Sequence, residues 1–402
     1  MRVLHVIPSV SPRRGGPSAA IFPMVAALRA RGIDAEIATS DEDEGSIEKT
    51  FPSYVAQHGV PVRIFARWRA PVRLLQEYSF CPRFVPWLKE NLWNYDLIHV
   101  HALFSHLPSA AMRIARRCRV PYVNRPLGLL GRWPLRQSAL RKKLYLRLIE
   151  KRNLDGAAAF HFTSEPERDE AADVMAVDRS VIIPHGMETP ELLVEAGAQL
   201  RSRLGLPRNQ KLVLFLGRIH HKKGIDWLVR SLAQMYVPRP VLLIAGEGDQ
   251  RAGIEQLASR LGIDRNLRWL GHVAGEWKQL CLQGSDLLAL TSHHENFGVA
   301  VLEALAAGTP VLVSDHVALA EVIARHRLGR VVPLEIGAIR DGLTQALAES
   351  DGDSLARRRE FVRDHYSWSA SAAALEQLYR RTIENHTGRT LARRLQHAQP
   401  PP

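Results

Sequence analysis

Four side chains in the second half of the sequence are the natural candidates for chemistry: Arg218, Lys223, Glu295 and Glu303. Arg218 and Lys223 follow the apolar run Leu212–Leu216 and Gly217, so both bases can meet at the carboxyl end of a strand, just before a helix that begins near Ile225. A guanidinium there can grip an anion in a fork, while an ammonium acts as a point charge. Glu295 lies in the polar turn Thr291 to Asn296, and Glu303 eight residues on, inside a helix among Val299, Leu302, Leu305 and Ala306. A carboxylate in such apolar company is costly unless it is hydrogen-bonded, so Glu303 needs a partner. The two glutamates are not placed like a glycosidase acid and nucleophile working across one bond. Plain alternatives exist: an amphipathic helix with a satisfied glutamate at its start, and a surface pair of bases.

The elements that must hold these residues read as strand, turn, helix and strand. From Asp286 to Asp315 the order is a strand (Leu287 to Leu290), the turn, a helix from about Phe297 to Ala307, a Gly-Thr-Pro break and a second strand from Val311 to Val313. The apolar runs lack the alternation of a half-exposed sheet, which predicts parallel strands covered on both faces. In such sheets ligands bind beyond the carboxyl ends of the strands, where the free N–H groups of helix starts favour anions. Further strand ends with turns follow at Val241 to Gly246 and at Leu267 to Val273.

The first half repeats the alternation. A strand from Val3 to Ile7 is followed by a loop containing Gly15 and Gly16, a helix from about Ser18 to Arg31 and a strand near Asp34 to Ala38. Paired glycines before a helix let the backbone approach a diphosphate closely, or simply make a turn; the dinucleotide fingerprint G-x-G-x-x-G is absent. In Asp96-Leu-Ile-His99-Val-His101, alternation puts both histidines on one face, with His101 at the strand end. A catalytic His101 and a buried, loop-anchoring pair are both open; no third ligand stands at a recognisable spacing for a metal. Leu135 to Arg152 is predicted as one amphipathic helix with Leu140, Leu144 and Leu148 in line.

With 402 residues and 46% apolar content, the chain suits two globular domains. Its net charge of +13 is concentrated: Arg113 to Arg152 holds thirteen bases and one acid, Glu150. That points to an anionic membrane surface or lipid-diphosphate acceptor, against the alternative of a solvated basic face. No nucleic-acid motif accompanies the charge, so nucleic acid is not expected as a partner. Three cysteines without metal-like spacing suit a reducing compartment, and the apolar run of MRVLHVIPSV is too short for a signal peptide. The expected location is cytoplasmic, peripheral on the inner face of the plasma membrane. The tail from 386 to 402, polar and ending in three prolines, is expected to be disordered.

The pattern Glu295-Asn296-Phe297-Gly298-(x4)-Glu303, followed by Ala-x-Ala-x-Gly-Thr-Pro-Val, resembles the E-x7-E signature of the family-four retaining glycosyltransferases with the B-type two-domain fold. The Gly217-Arg218-(x4)-Lys223-Gly224 element, Asp96 to His101, the Val181-Ile-Ile-Pro184-His185-Gly186 segment and Tyr366-Ser-Trp368 resemble other parts of that family. The resemblance implies two Rossmann-like α/β domains with parallel sheets facing a central cleft. Residues 1–188, with a crossover helix at about 366–385, would bind the acceptor, and 189–365 the nucleotide sugar. It further implies that Arg218 and Lys223 hold the donor diphosphate, Glu295 the sugar hydroxyls and Glu303 the ribose. Gly217, Val273, Asn296, Phe297 and Gly298 would line the nucleotide rim, with Gly15 and Gly16 near phosphate and acceptor. The implied reaction is transfer of a hexosyl group from a UDP- or GDP-sugar to a saccharide or lipid-linked saccharide, in cell-surface or exopolysaccharide biosynthesis. The nucleotide sugar is a substrate, and no cofactor or metal is expected. Leu127 stands where relatives often carry histidine, and His185 where they carry asparagine. A sugar-nucleotide epimerase or hydrolase, or a non-catalytic nucleotide-sugar-binding subunit, are the competing readings.

Overall fold

The computed structural model describes residues 1–11, 16–41, 53–57, 59–68, 78–136, 139–349 and 354–397. It divides into two units: residues 1–186 with 368–402, and residues 187–367. The chain leaves the first unit at Gly186 and returns to it at Trp368. Both crossings are fastened. Within the second unit, Met187 N–H donates to Tyr366 C=O; within the first, Ser371 Oγ donates to Pro184 C=O at 3.0 Å.

In the first unit, β1 (Arg2–Val6), β2 (Asp34–Ser40), β3 (Ser53–Gln57), β4 (Val60–Phe65), β5 (Leu97–His101), β6 (Tyr122–Arg125), β7 (Ala159–Phe162) and β8 (Ser180–Ile182) form one sheet. Its order is β3-β4-β2-β1-β5-β6-β7-β8. In the second unit, β9 (Leu212–Leu216), β10 (Val241–Ala245), β11 (Leu267–Gly271), β12 (Leu287–Leu290), β13 (Val311–Ser314) and β14 (Gly329–Val332) run in the order β11-β10-β9-β12-β13-β14. The second sheet is parallel throughout, with strands such as Leu212 to Phe215 and Val241 to Ala245 buried at every position. That is why their sequences run apolar without alternation.

Three expectations need correction. The first sheet is not wholly parallel, because β3 pairs antiparallel with β4 at its edge, and so short a link allows only that direction. The helix read from Leu135 to Arg152 is broken into Arg132–Arg136, Ala139–Tyr145, a wider π-type turn at Leu146–Glu150, and Lys151–Asp155. The wide turn accompanies the inward setting of Glu150, whose carboxylate accepts from Phe104 N–H at 3.2 Å and Asn153 Nδ2 at 3.0 Å. The final helix does not end near 385. It runs from Trp368 to His397, since the segment is rich in Leu, Ala, Arg and Gln and no proline interrupts it before Pro400. Residues 398–402 of the expected tail lie outside the described residues. Among the described residues, no helix is long and apolar enough to cross a membrane.

Candidate active site

In the second unit the strand order reverses between β9 and β12, and the loops after these two strands carry the residues singled out above. A reversal of this kind opens a crevice outside the strand ends. The two loops are bound to each other. Thr291 Oγ1 donates to Gly224 C=O at 2.8 Å, and His293 N–H donates to Lys222 C=O at 2.9 Å. Gly224 has φ +61°, and a Cβ there would lie 1.9 Å from Thr291 O, so only glycine permits this approach. The imidazoles of His221 and His293 stack with centroids 5.1 Å apart and planes 4° from parallel.

This fastening brings Lys223 Nζ into an ion pair with Glu295. Burial pushes the Glu295 carboxyl up, but the Lys223 ammonium, aided by Lys222 and His294, outweighs it and holds the group below the usual range. The Glu295 backbone is itself fixed, its N–H donating to His316 C=O at 3.1 Å and its C=O accepting from Ala318 N–H at 3.0 Å. Arg218, on the same loop as Lys223, is exposed; its C=O accepts from His220 N–H at 3.0 Å, while its guanidinium has no hydrogen bond or ion pair among the described residues. Gly217 precedes it at the end of β9, and Gly246 packs so tightly there that a Cβ would meet Gly217 O at 1.9 Å. Gly298 ends the turn at φ +91° and opens the helix Val299–Ala307. Phe297 is buried beside Tyr366, with centroids 6.2 Å apart, and Asn296 is half-buried. Val273, after β11, is buried in the core of the unit, leaving its backbone as the part available to a ligand.

The partner that Glu303 needs is Lys278, from the helix Gly275–Gly284, at 2.8 Å. Sequence reasoning did not name it, because the pair spans two helices with no fixed spacing between them. A cavity of about 680 Å3 in the same unit is lined by Lys211, Asp286, Val311 and Gly329, at the opposite ends of the strands from these loops.

In the first unit His101 is buried. His5 Nδ1 and His101 Nε2 are 3.1 Å apart, and the rings of His99 and His101 lie 4.2 Å apart on one face, as alternation requires. A chain of bonds fixes the neighbouring tautomers: His161 Nε2 must donate to Ile183 C=O (2.8 Å), so His161 Nδ1 accepts from His99 Nε2 (3.3 Å), and His99 Nδ1 accepts from Tyr379 O–H (2.7 Å). Arg125 Nη2 donates to His185 Nε2 at 2.9 Å. These contacts were not legible beforehand, since His5, His161 and Tyr379 sit in unremarkable strands and a helix, and His185, notable in its loop after β8, shows no partner by spacing. His5, His99 and His101 offer nitrogens within 4.8 Å of one another, the third ligand being the one the sequence did not reveal. His99 spends both nitrogens on Tyr379 and His161, and burial, reinforced by the neighbouring imidazoles and the Arg125 cation, pushes His99 and His101 well below the usual imidazole range. Gly16 opens the helix Gly16–Ala30; Gly15 lies outside the described residues. Leu127 adopts φ +56° in the turn after β6, and the next N–H, from Gly128, donates to Glu167 at 2.7 Å.

This cluster carries a pH prediction. Burial lowers His5 to about 3 and pushes His99, His101, His161 and His185 well below the usual imidazole range. Below about pH 6.5 the unfolded chain therefore binds protons that the folded unit refuses, so stability falls as pH falls, by about 1.4 kcal/mol per pH unit for each such histidine. The melting temperature of the full chain is expected to drop sharply between pH 7.5 and 5.5. An unchanged melting temperature across that range contradicts buried neutral histidines.

Comparison with known proteins finds two family models. The group 1 glycosyl transferases match residues 198–368, and a glycosyl transferase 4-like domain matches 15–186. An uncharacterised glycosyltransferase of Methanocaldococcus jannaschii is 28% identical over 307 residues, covering 72% of this chain and 76% of its own length. A D-inositol 3-phosphate glycosyltransferase of Nocardia farcinica is 27% identical over 404 residues, covering 94% and 87%. Among solved structures, sucrose-phosphate synthase of Thermosynechococcus elongatus superposes with a TM-score of 0.78 at 22% identity, covering 96% of this chain and 99% of its own. Anabaena HepE, solved with UDP and glucose, does so with a TM-score of 0.74 at 19% identity, covering 94% and 98%. These two likenesses speak to fold.

Proposed function

Because the chain belongs to the group 1 glycosyltransferases and has their GT-B fold, we propose that it transfers a hexosyl group, with retained anomeric configuration, from a UDP- or GDP-sugar to a saccharide or lipid-linked saccharide. The observation that carries this is the junction of the β9 and β12 loops at the strand-order reversal, where Lys223 pairs with Glu295, Arg218 stands on the same loop as Lys223, and Glu303 lies on the helix that follows. In this reading the diphosphate takes the place of the missing partner of Arg218 and shares Lys223 with Glu295. Breaking the sugar–phosphate bond builds charge on the leaving diphosphate, and fixed cations that meet it there lower the barrier. The amino end of Val299–Ala307 adds its dipole, and no Asp-x-Asp pair beside these elements calls for a metal. Glu295 receives the sugar hydroxyls and Glu303 the ribose. HepE, a relative in fold, was solved with UDP-glucose as well as with UDP, which supports a nucleotide sugar of this type. Cell-surface or exopolysaccharide assembly, at the inner face of the plasma membrane, is the setting proposed.

The test is nucleotide release from a panel of UDP- and GDP-sugars, with and without lipid-diphosphate acceptors. Acceptor-dependent release with product of retained configuration supports transfer. Acceptor-independent release or isomerised donor indicates a hydrolase or epimerase, and binding without turnover a non-catalytic subunit.

Lys278 gives a separate check on the ribose assignment. Lys278→Met removes the ammonium that holds Glu303, so affinity for free nucleoside diphosphate should fall about fivefold, the scale of a half-exposed ion pair. Calorimetry with UDP and GDP reads it; unchanged affinity for whichever nucleotide the wild type binds would separate Glu303 from the nucleotide.

A further inference from the structure

The helical run through Ala139–Tyr145, Leu146–Glu150 and Lys151–Asp155 turns a row of leucines to solvent while burying a carboxylate. Its inward side mixes Leu146 and Leu154, which pack on the core, with polar groups: Tyr145 O–H meets Ser109 Oγ at 3.0 Å, Asn153 Nδ2 donates to Ser109 C=O at 3.3 Å, and Glu150 is fully buried among them. Its outward side carries Leu140, Leu144 and Leu148, with 85%, 57% and 64% of their surface exposed, and Ile149 beside them at 40%. Exposed bases flank this stripe, among them Lys143 and Arg147, and the helix His106–Cys118, tied to the run through Ser109, turns Arg113, Arg116 and Arg117 to solvent.

We propose that this face docks on an anionic lipid bilayer, with the leucines entering the interface and the bases resting on the headgroups. Aliphatic side chains in line and surrounded by cations match a bilayer's apolar interior and anionic rim. A second copy of this chain would bring the same positive charge to the contact and be repelled. A nucleic acid would meet leucines where stacking aromatics are needed. The proposal deepens the reading of a lipid-linked acceptor by supplying the surface through which that acceptor is reached. Its test is run without donor or acceptor, so it can fail while the transferase reading stands, and the reverse.

Full-length protein is mixed with vesicles of phosphatidylcholine alone or with one third phosphatidylglycerol, and bound protein is measured by co-sedimentation. Binding is expected only with the anionic lipid, and it should fall at least tenfold between 50 and 500 mM NaCl. Lys143 and Arg147 changed together to serine should weaken it about 25-fold, at roughly fivefold per base. Lys142 is left intact, because its Nζ donates to Pro134 C=O at 2.6 Å and holds the run in place. Leu140, Leu144 and Leu148 changed together to serine should abolish most of the binding, and since all three are exposed, melting temperature should be unaffected and confirm that the variant folds. No binding to anionic vesicles, binding equal on both lipids, or a leucine variant that binds like the wild type overturns the proposal. So does a dimer in solution that the leucine changes dissociate, which would make the face a contact between copies.

Discussion

Arg218→Ala is expected to lower kcat by about 100-fold or more while changing donor affinity far less. Its guanidinium is exposed and has no hydrogen bond or ion pair among the described residues, so its removal leaves no group stranded and should leave the fold untouched. In the proposed arrangement, what disappears is positive charge where charge grows as the diphosphate departs. Lys223→Ala should cost at least as much, for two reasons that can be told apart. It removes a second cation from the same oxygens, and it strips Glu295 of the ammonium that holds its carboxyl below the usual range. With burial then opposed only by Lys222 and His294, Glu295 should protonate at higher pH, and the acidic limb of kcat/KM should move upward in Lys223→Ala but not in Arg218→Ala. Because both cations act on one leaving group, the double variant should lose less than the product of the single losses. Steady-state kinetics over pH 5 to 9 reads all of this. Full transfer activity in both single variants would place the donor elsewhere.

The second large effect divides the two glutamates. Glu303→Gln keeps the side-chain shape but ends the ion pair with Lys278 and weakens a charged acceptor for ribose hydroxyls. Loss of a hydrogen bond to a charged group costs about 1.5 to 3 kcal/mol, so binding should weaken roughly 10- to 100-fold, equally for nucleoside diphosphate and full donor. Glu295→Gln should instead lower transfer and blur discrimination among donor sugars, because in the proposed arrangement Glu295 receives the sugar hydroxyls alone.

Much of this was legible in the sequence wherever a single element decides the outcome. The strands of the second unit announce themselves because burial on both faces demands unbroken runs such as Leu212 to Leu216, and the structure places them within a residue or so of expectation. The pairing of His99 with His101 followed from strand alternation. Contacts between elements were not legible. Glu303 plainly needed a partner, but Lys278 stands on another helix. Nor could spacing reveal that Lys223 and Glu295, 72 residues apart, close on one another, because that depends on Gly224 allowing Thr291 to approach. The stretch from 53 to 65 hid an antiparallel pair, since Pro61 and Arg63 interrupt Val60–Phe65 and deny it the continuous apolar signal of a central strand. The wide turn at Leu146–Glu150 depends on where Glu150 finds its partners, which no periodicity records.

The central claim is that the β9 and β12 loops hold the donor, with its diphosphate on Arg218 and Lys223, its sugar on Glu295 and its ribose on Glu303. Calorimetry of free nucleoside diphosphate and of the matching nucleotide sugar, on the wild type and on Glu295→Gln, tests this most directly. The prediction is that Glu295→Gln binds free nucleoside diphosphate nearly as the wild type does and the nucleotide sugar about tenfold more weakly. Equal weakening of both ligands would contradict the assignment of Glu295 to the sugar and with it the arrangement of the donor in this site.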